Sequence, residues 1–334
     1  MSSLNPSPPG RERLVLSCVV PAYNEAGHLE DFLHALHAAV APLAAECEIV
    51  LVDDGSRDAT AAIAQRLAPQ FPMRFLKLSR NFGKEAALSA GIEHARGNAV
   101  LLIDSDFQHP LSLVPEMVRL WQSGYDMVYG VIADRANEGL AKRWGTGVFY
   151  RLMNHDNAVQ IPANAGDFRL MDRKVVDALK RLPERNRFMK GLYAWVGFQS
   201  VALPFVPDVR KSGTSTFNLH RLAKLAMQGL TSFTTLPLQI WSGIGAVISL
   251  AAIGYGIFIA VDYLLHDNAV DGWPTLAAGL MLFSGVQLLS IGILGEYIGR
   301  IYAEVKRRPV YVVAEDENHS PLPPLPDDAH DARR

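Results

Sequence analysis

Apolar runs and polar breaks alternate with a regular beat along the first 130 residues. The strand-like runs are LVLSCVV (14–20), CEIVLV (47–52), RFLKLS (74–79) and NAVLLI (98–103). Each is succeeded by a helix-like stretch: from about Ala26, over DATAAIAQRLA, over KEAALSAGIEHA and over LSLVPEMVRLW. A further strand, DMVYGV, comes next, and then the rhythm loosens. Regular strand–helix alternation predicts an α/β domain with a mostly parallel sheet and right-handed crossovers. Further along, Thr235–Val261 and Gly272–Gly295 contain no charged residue. Each exceeds the roughly 20 residues that span a bilayer as helix, which predicts a two-helix transmembrane hairpin, about 235–264 and 273–299. The link DYLLHDNAVD has no Lys or Arg, whereas Arg221 and Lys224 precede the hairpin and Arg300, Lys306, Arg307 and Arg308 come after it. The positive-inside rule then puts both ends in the cytoplasm.

Four polar clusters give the chemistry its address. PAYNE, DDGS, RNFGKE and DSDFQ stand directly after the first four strands, at the carboxyl edge where open α/β sheets bind ligands. In DSDFQ, Asp104, Asp106 and Gln108 occupy alternate positions, so in an extended chain all three oxygens share one face, as half of a cation's shell requires. No G-x-G-x-x-G succeeds a strand, and no G-x-x-x-x-G-K-[ST] is present, so neither a dinucleotide fold nor a P-loop is supported. Carboxylates with a divalent ion bridging to a diphosphate remain, which fits a nucleotide-diphosphate donor.

Composition changes this picture little. The 334 residues are 49% hydrophobic with a net charge of −2, which gives no reason to expect a nucleic-acid partner. Cys18 and Cys47 lie in apolar strands with no zinc spacing, and reduced thiols are expected. The N-terminus MSSLNPSPPG lacks the apolar core of a signal peptide, the tail is rich in proline, and both ends are expected to be disordered. TFNLHRLAKLAMQGLTSF reads as an amphipathic helix in the membrane interface, with Arg221 and Lys224 on its polar face.

The succession VVPAYNE, VDDGS, RNFGKEAALSAG, DSDFQHP and GDFRLMDR, followed by two membrane helices, resembles the family 2 glycosyltransferases that charge polyprenyl phosphate, relatives of dolichol-phosphate mannosyltransferase. The resemblance implies a GT-A (Rossmann-like) catalytic domain over 13–211 after a disordered 1–12. It implies an acceptor loop and amphipathic juxtamembrane helix over 212–233, the hairpin over 234–303 and a largely disordered cytoplasmic tail over 304–334. It implies inverting transfer from a nucleotide sugar, of the UDP-linked kind, to undecaprenyl phosphate at a bacterial inner membrane, giving a lipid-linked monosaccharide for cell-envelope or lipopolysaccharide modification. A GDP-mannose-dependent mannosyltransferase and a non-catalytic membrane scaffold with a decayed transferase domain are the alternatives.

Carried over position by position, the resemblance implies that Pro21, Tyr23, Glu25 and Asp54 line the nucleoside pocket, Asp54 accepting from a base N–H, with Lys84 on the donor phosphate. Asp104, Asp106 and Gln108 would hold Mg²⁺ or Mn²⁺, and Asp167 would be the base or orienter at the acceptor phosphate. Arg135, Lys142, Arg210, Lys211 and Ser215 would bind that phosphate. Thr216 stands where many relatives carry Lys, and Ile132 where many carry Arg, a departure for one phosphate contact. His109 reads as a loop residue, His34 and His37 as surface or core, and Tyr193 and Trp195 as packing. The glycine-bearing spans GIGAVISLAAIGYG and GILGEYIG permit the close helix contacts of a homo-oligomer.

Overall fold

The structure is a computed structural model. It describes residues 11, 13–132, 165–185, 187–206 and 272–324, together with isolated positions between 243 and 265. The chain divides into two compact units, 1–217 with 309–334, and 218–308.

The first unit is built on one eight-stranded sheet. Its strands are β1 (Val15–Ala22), β2 (Glu46–Asp53), β3 (Met73–Leu78), β4 (Ala99–Leu102), β5 (Met127–Ile132), β6 (Ala165–Asp172), β7 (Ser200–Phe205) and β8 (Val313–Asn318), in the order β7-β5-β6-β4-β1-β2-β3-β8. β3, β2, β1 and β4 run parallel, as the alternation predicts, and β6 inserts antiparallel between β4 and β5. The central strands are near-continuous apolar runs because both faces are covered. Among the described residues the helices of this unit are α1 (Leu29–Val40), α2 (Thr60–Leu67), α3 (Lys84–His94), α4 (Val114–Gln122), α5 (Arg173–Lys180) and α6 (Met189–Trp195). α3 sits close on the sheet: a Cβ at Gly91 would meet Val19 Cγ1 at 2.2 Å. α4 buries Val114, Met117, Val118 and Trp121, and each such side chain contributes about 2 kcal/mol through removal from water.

Arg11 and residues 309–324 are ordered where disorder is expected, while residues 1–10, 12 and 325–334 lie outside the described residues. Arg11 is buried, its guanidinium paired with Asp126 at 2.7 Å and Asp172 at 2.9 Å and lying over the Trp121 ring. The tail supplies β8, antiparallel to β3, with Arg74 paired to Asp316 at 2.7 Å and Lys77 to Glu315 at 2.6 Å. Two acids of VAEDEN thus find cations on the strand beside them. Beyond β8, Ser320 Oγ bonds Glu48 and Leu322 O accepts from Arg96 at 2.9 Å.

The second unit contains the helix α7 (Trp273–Val305). Its described apolar side chains include Leu276, Leu280 and Leu288, each about 70% exposed. Among the described residues no helix is long and apolar enough to cross a membrane. The expected acceptor loop and amphipathic helix over 212–233, and residues 266–271 of the link between the two spans, lie outside the described residues.

Candidate active site

The carboxyl ends of β1 to β4 converge on a cavity of about 500 Å³. Pro21, Tyr23, Glu25, Asp54, Lys84, Asp104, Asp106 and Gln108 all line it, so every expected nucleotide and metal residue meets in one place. Arg135, Lys142, Arg210, Lys211, Ser215 and Thr216 lie outside the described residues.

The loops that form the rim are stapled to one another. Asn24, at φ 57°, donates its N–H to Ser56 Oγ at 2.9 Å, and its side-chain oxygen accepts from Arg57 N at 2.9 Å. The turn after β2 needs Gly55: its φ is +65°, and a Cβ there would lie 2.4 Å from the Arg80 carbonyl carbon. Asp54 Oδ1 accepts from Phe82 N at 2.7 Å and Oδ2 from Gly83 N at 2.9 Å. Both carboxylate oxygens therefore hold the loop that leads into α3, a duty absent from the expected role as a reader of the base. Burial pushes the Asp54 carboxyl up, and the two N–H bonds oppose that shift.

Lys84, the first residue of α3, forms the centre of the charge cluster. Its Nζ lies 2.7 Å from Asp104 Oδ1 and 2.9 Å from Asp167 Oδ2, so the strand-β6 acid is drawn to the edge formed by β4. Burial disfavours the Lys84 ammonium, yet Asp104 and Asp167 outweigh it and hold its pKa above the usual range. Burial likewise opposes ionisation of Asp104, but Lys84 and His109 prevail and hold the carboxyl well below the usual range. The lysine is therefore an ammonium and Asp104 a carboxylate throughout the neutral range.

The D-x-D run is not extended through Gln108. β4 ends at Leu102, Phe107 has φ 60°, and Gln108 N donates to Asp106 Oδ1 at 3.1 Å. The alternation holds only as far as buried Ser105, which faces the interior between the two acids. Polar loop residues favour such a turn because a carboxylate can satisfy backbone N–H groups that a strand would have paired.

His109 is more than a loop residue. Its Nε2 is 3.4 Å from Asp104 Oδ2, and its ring stacks on Phe168 at 4.9 Å and 14°. Glu85 and Arg169 also belong to this region, although the sequence pattern singles out neither. Arg169 is buried, its guanidinium 3.5 Å over the Tyr193 ring. The i, i+2 spacing of Asp167 and Arg169 on one strand is the signal that could have found it. Tyr193 is packed as expected, whereas Trp195 is 54% exposed. His34 and His37 both meet the Phe71 ring edge-on.

Among the described residues no group of three or more His, Cys, Asp or Glu side chains forms a cation cage. The donor set fits a hard cation that takes one or two carboxylates and completes its shell from substrate phosphates: Asp104 and Asp106 share the cavity with the Gln108 amide. Asp167 Oδ1 is buried without a hydrogen-bond partner among the described residues, an acceptor left open beside them.

Two family models match the chain: glycosyl transferase family 2 over residues 17–180 and the GtrB C-terminal hairpin over 236–301. The bactoprenol glucosyl transferase of Shigella phage SfII is 43% identical over 92% of this chain and 99% of its own length. The prophage bactoprenol glucosyl transferase homolog of Escherichia coli strain K12 is 42% identical over 89% and 98%. An uncharacterized glycosyltransferase of Synechocystis is 43% identical over 90% and 95%.

Proposed function

Because the chain belongs to glycosyl transferase family 2, we propose that it moves a sugar from a UDP-linked donor to polyprenyl phosphate, giving a lipid-linked monosaccharide. The observation that carries this reading is one cavity lined by the nucleotide-type and metal-type residues together, in a chain similar over 92% of its length to the bactoprenol glucosyl transferase of Shigella phage SfII. In the reaction an acceptor phosphate oxygen forms a bond to the anomeric carbon. The bond from that carbon to the donor diphosphate breaks, and its electron pair leaves with the nucleoside diphosphate.

A lipid phosphate is largely ionised at neutral pH, its second pKa being about 6, so no strong base is required. Positioning and leaving-group stabilisation carry the rate. Tyr23 and Pro21 offer an apolar and aromatic wall for the base and Glu25 a polar rim. Asp54 fixes the loop over which the donor lies. Asp104, Asp106 and Gln108 would hold Mg²⁺ or Mn²⁺, which when bound supplies positive charge to the diphosphate. Lys84 pairs with Asp104 and Asp167 and brings a cation to the same place. Asp167 faces the acceptor and orients its phosphate, with Arg135, Lys142, Arg210, Lys211 and Ser215 as the phosphate's own partners.

The hairpin is read as membrane-spanning, with the catalytic domain on the cytoplasmic face. Two uncharged stretches in the sequence, the match to a C-terminal hairpin family and the exposed leucines of α7 support that placement. The test is transfer by the purified full-length protein, with undecaprenyl phosphate and a panel of UDP- and GDP-sugars, with added Mg²⁺ or Mn²⁺ and with chelator. Chelator-sensitive formation of one lipid-linked sugar from a UDP-sugar is expected. Absence of lipid product from every donor would overturn the reading.

A further inference from the structure

We infer that Glu85 is a positioning residue for the transfer proposed above: its carboxylate holds the start of α6 and, through Tyr193 and Arg169, fixes the strand that carries Asp167. The inference rests on the glycosyl-transfer reading of the site.

Lys84 and Glu85 are neighbours on the first turn of α3 and serve different partners. Lys84 reaches the acids of the cavity, while Glu85 Oε2 accepts from Met189 N at 3.1 Å. Met189 is the first residue of α6, and Phe188 at its N-cap provides no side-chain cap. The opening N–H groups of any helix lack partners within the helix, so Glu85 caps α6 from another element. A second tie runs in parallel, Arg187 donating to Ser89 Oγ at 3.2 Å, again on α3.

The side chain that α6 presents to β6 is Tyr193. Its ring is buried beneath the Arg169 guanidinium, which also donates to Gly166 O. Gly166 and Arg169 flank Asp167 on β6. Contacts therefore run from Glu85 to α6, from α6 to Arg169, and from Arg169 to the Gly166 carbonyl that directly precedes Asp167. Lys84 pins the same acid from the front. Two adjacent residues of one helix turn thus hold Asp167 from both sides.

The charges around Glu85 are Lys84 on its own helix, Asp167 and Arg169 on β6, and Lys190 on α6. Burial, and then Asp167, push the Glu85 carboxyl up to about 7. Its environment does not favour a free charge, which accords with a structural acceptor rather than a solvated acid.

The experiment measures kcat and both KM values for undecaprenyl phosphate and the nucleotide sugar that the panel above selects, with the full-length protein. Glu85→Ala removes the acceptor, Glu85→Gln keeps one, and Met189→Pro removes the donor together with a buried side chain, for which Met189→Ala, which keeps the N–H, is the control. Proline is tolerated at the first helical position, and Phe188 has the extended backbone that a following proline prefers, φ −114° and ψ 90°. Misplacing a reacting group by about 1 Å costs up to roughly a hundredfold, so Glu85→Ala and Met189→Pro are each expected to lower kcat about ten- to a hundredfold with KM values within about threefold. Glu85→Gln should recover most of that loss, and the Glu85→Ala/Met189→Pro double variant should be no worse than either parent. Native kcat in Glu85→Ala, or Glu85→Gln as impaired as Glu85→Ala, overturns the inference. If Glu85→Ala does not fold, native kcat in Met189→Pro overturns it alone. A native protein that transfers no sugar instead defeats the underlying reading and is recognised before any variant is made.

Discussion

The cavity edge and the β3–β8 edge use the same ingredients, acids beside bases, to opposite ends. At the β3–β8 edge the pairs are closed. Arg74 meets Asp316 through two nitrogens at 3.0 and 2.7 Å, and Lys77 meets Glu315, which also accepts from Gln65 at 2.6 Å. At the cavity edge one ammonium is shared by Asp104 and Asp167, and both Asp167 Oδ1 and His109 Nδ1 are buried without partners among the described residues. Buried polar atoms without partners cost stability. The two open atoms at the cavity edge lie beside the acids read as holding a cation, whereas the pairs at the β3–β8 edge are spent on each other.

The sharpest way to break this comparison is Asp106→Asn. If the acids serve a cation, the variant should lose on the order of a thousandfold in kcat/KM, several kcal/mol of transition-state stabilisation, while its melting temperature stays within about 2 °C. Full turnover by the folded variant would remove Asp106 from the metal site.

Glu85→Gln gives a smaller effect, visible in stability and dependent on pH. The Glu85 carboxyl is raised from 4.5 to about 7 in the fold, so ionising it there is harder than in the unfolded chain. The native protein therefore loses stability relative to the Gln variant as pH rises from about 4.5 to 7, by at most about 3 kcal/mol, and the difference is constant above that window. Melting both proteins from pH 4 to pH 8.5 checks this, and an offset that does not change with pH would contradict it.

The smallest effect is expected at the saturated edge. Burial raises the Asp316 pKa and Arg74 more than offsets it, so the pair stabilises above the usual carboxylate range and is lost as pH falls through the depressed pKa. Asp316 is 38% exposed, so Asp316→Ala should cost about 0.5 to 1 kcal/mol, less at high salt, and leave kcat unchanged. Denaturant unfolding at two salt concentrations measures it. A loss of turnover would mean that this edge is not merely structural.

The parallel core and the carboxyl-edge clusters are legible in the sequence because they are local. Apolar runs of strand length, each broken by PAYNE, DDGS, RNFGKE or DSDFQ, need no knowledge of partners. The features that escape depend on residues far apart in the chain. β8 is six residues of mixed polarity that become a strand by pairing with β3, where Arg74 and Lys77 meet its acids. Arg11 is ordered by Asp126 and Asp172, more than a hundred residues away. His109 and Glu85 look like loop and solvated helix turn because Asp104 and Met189, which give them their roles, are set by the fold. The D-x-D run misleads in the other direction: its spacing suggests a strand, but the backbone turns at Phe107.

The pairing of β3 with β8 also sets a schedule for synthesis. Arg74 and Asp316 are 242 residues apart, and a ribosome adding 5 to 20 residues per second needs roughly 12 to 50 s to cover that distance. Throughout that interval the β3 edge emerges without its neighbour, and an unpaired apolar strand invites association with other nascent chains. Arg74 and Lys77 break the run MRFLKL with positive charge, which restrains such association until the last segment arrives. The residues that later bind the tail thus protect the edge while the tail does not yet exist.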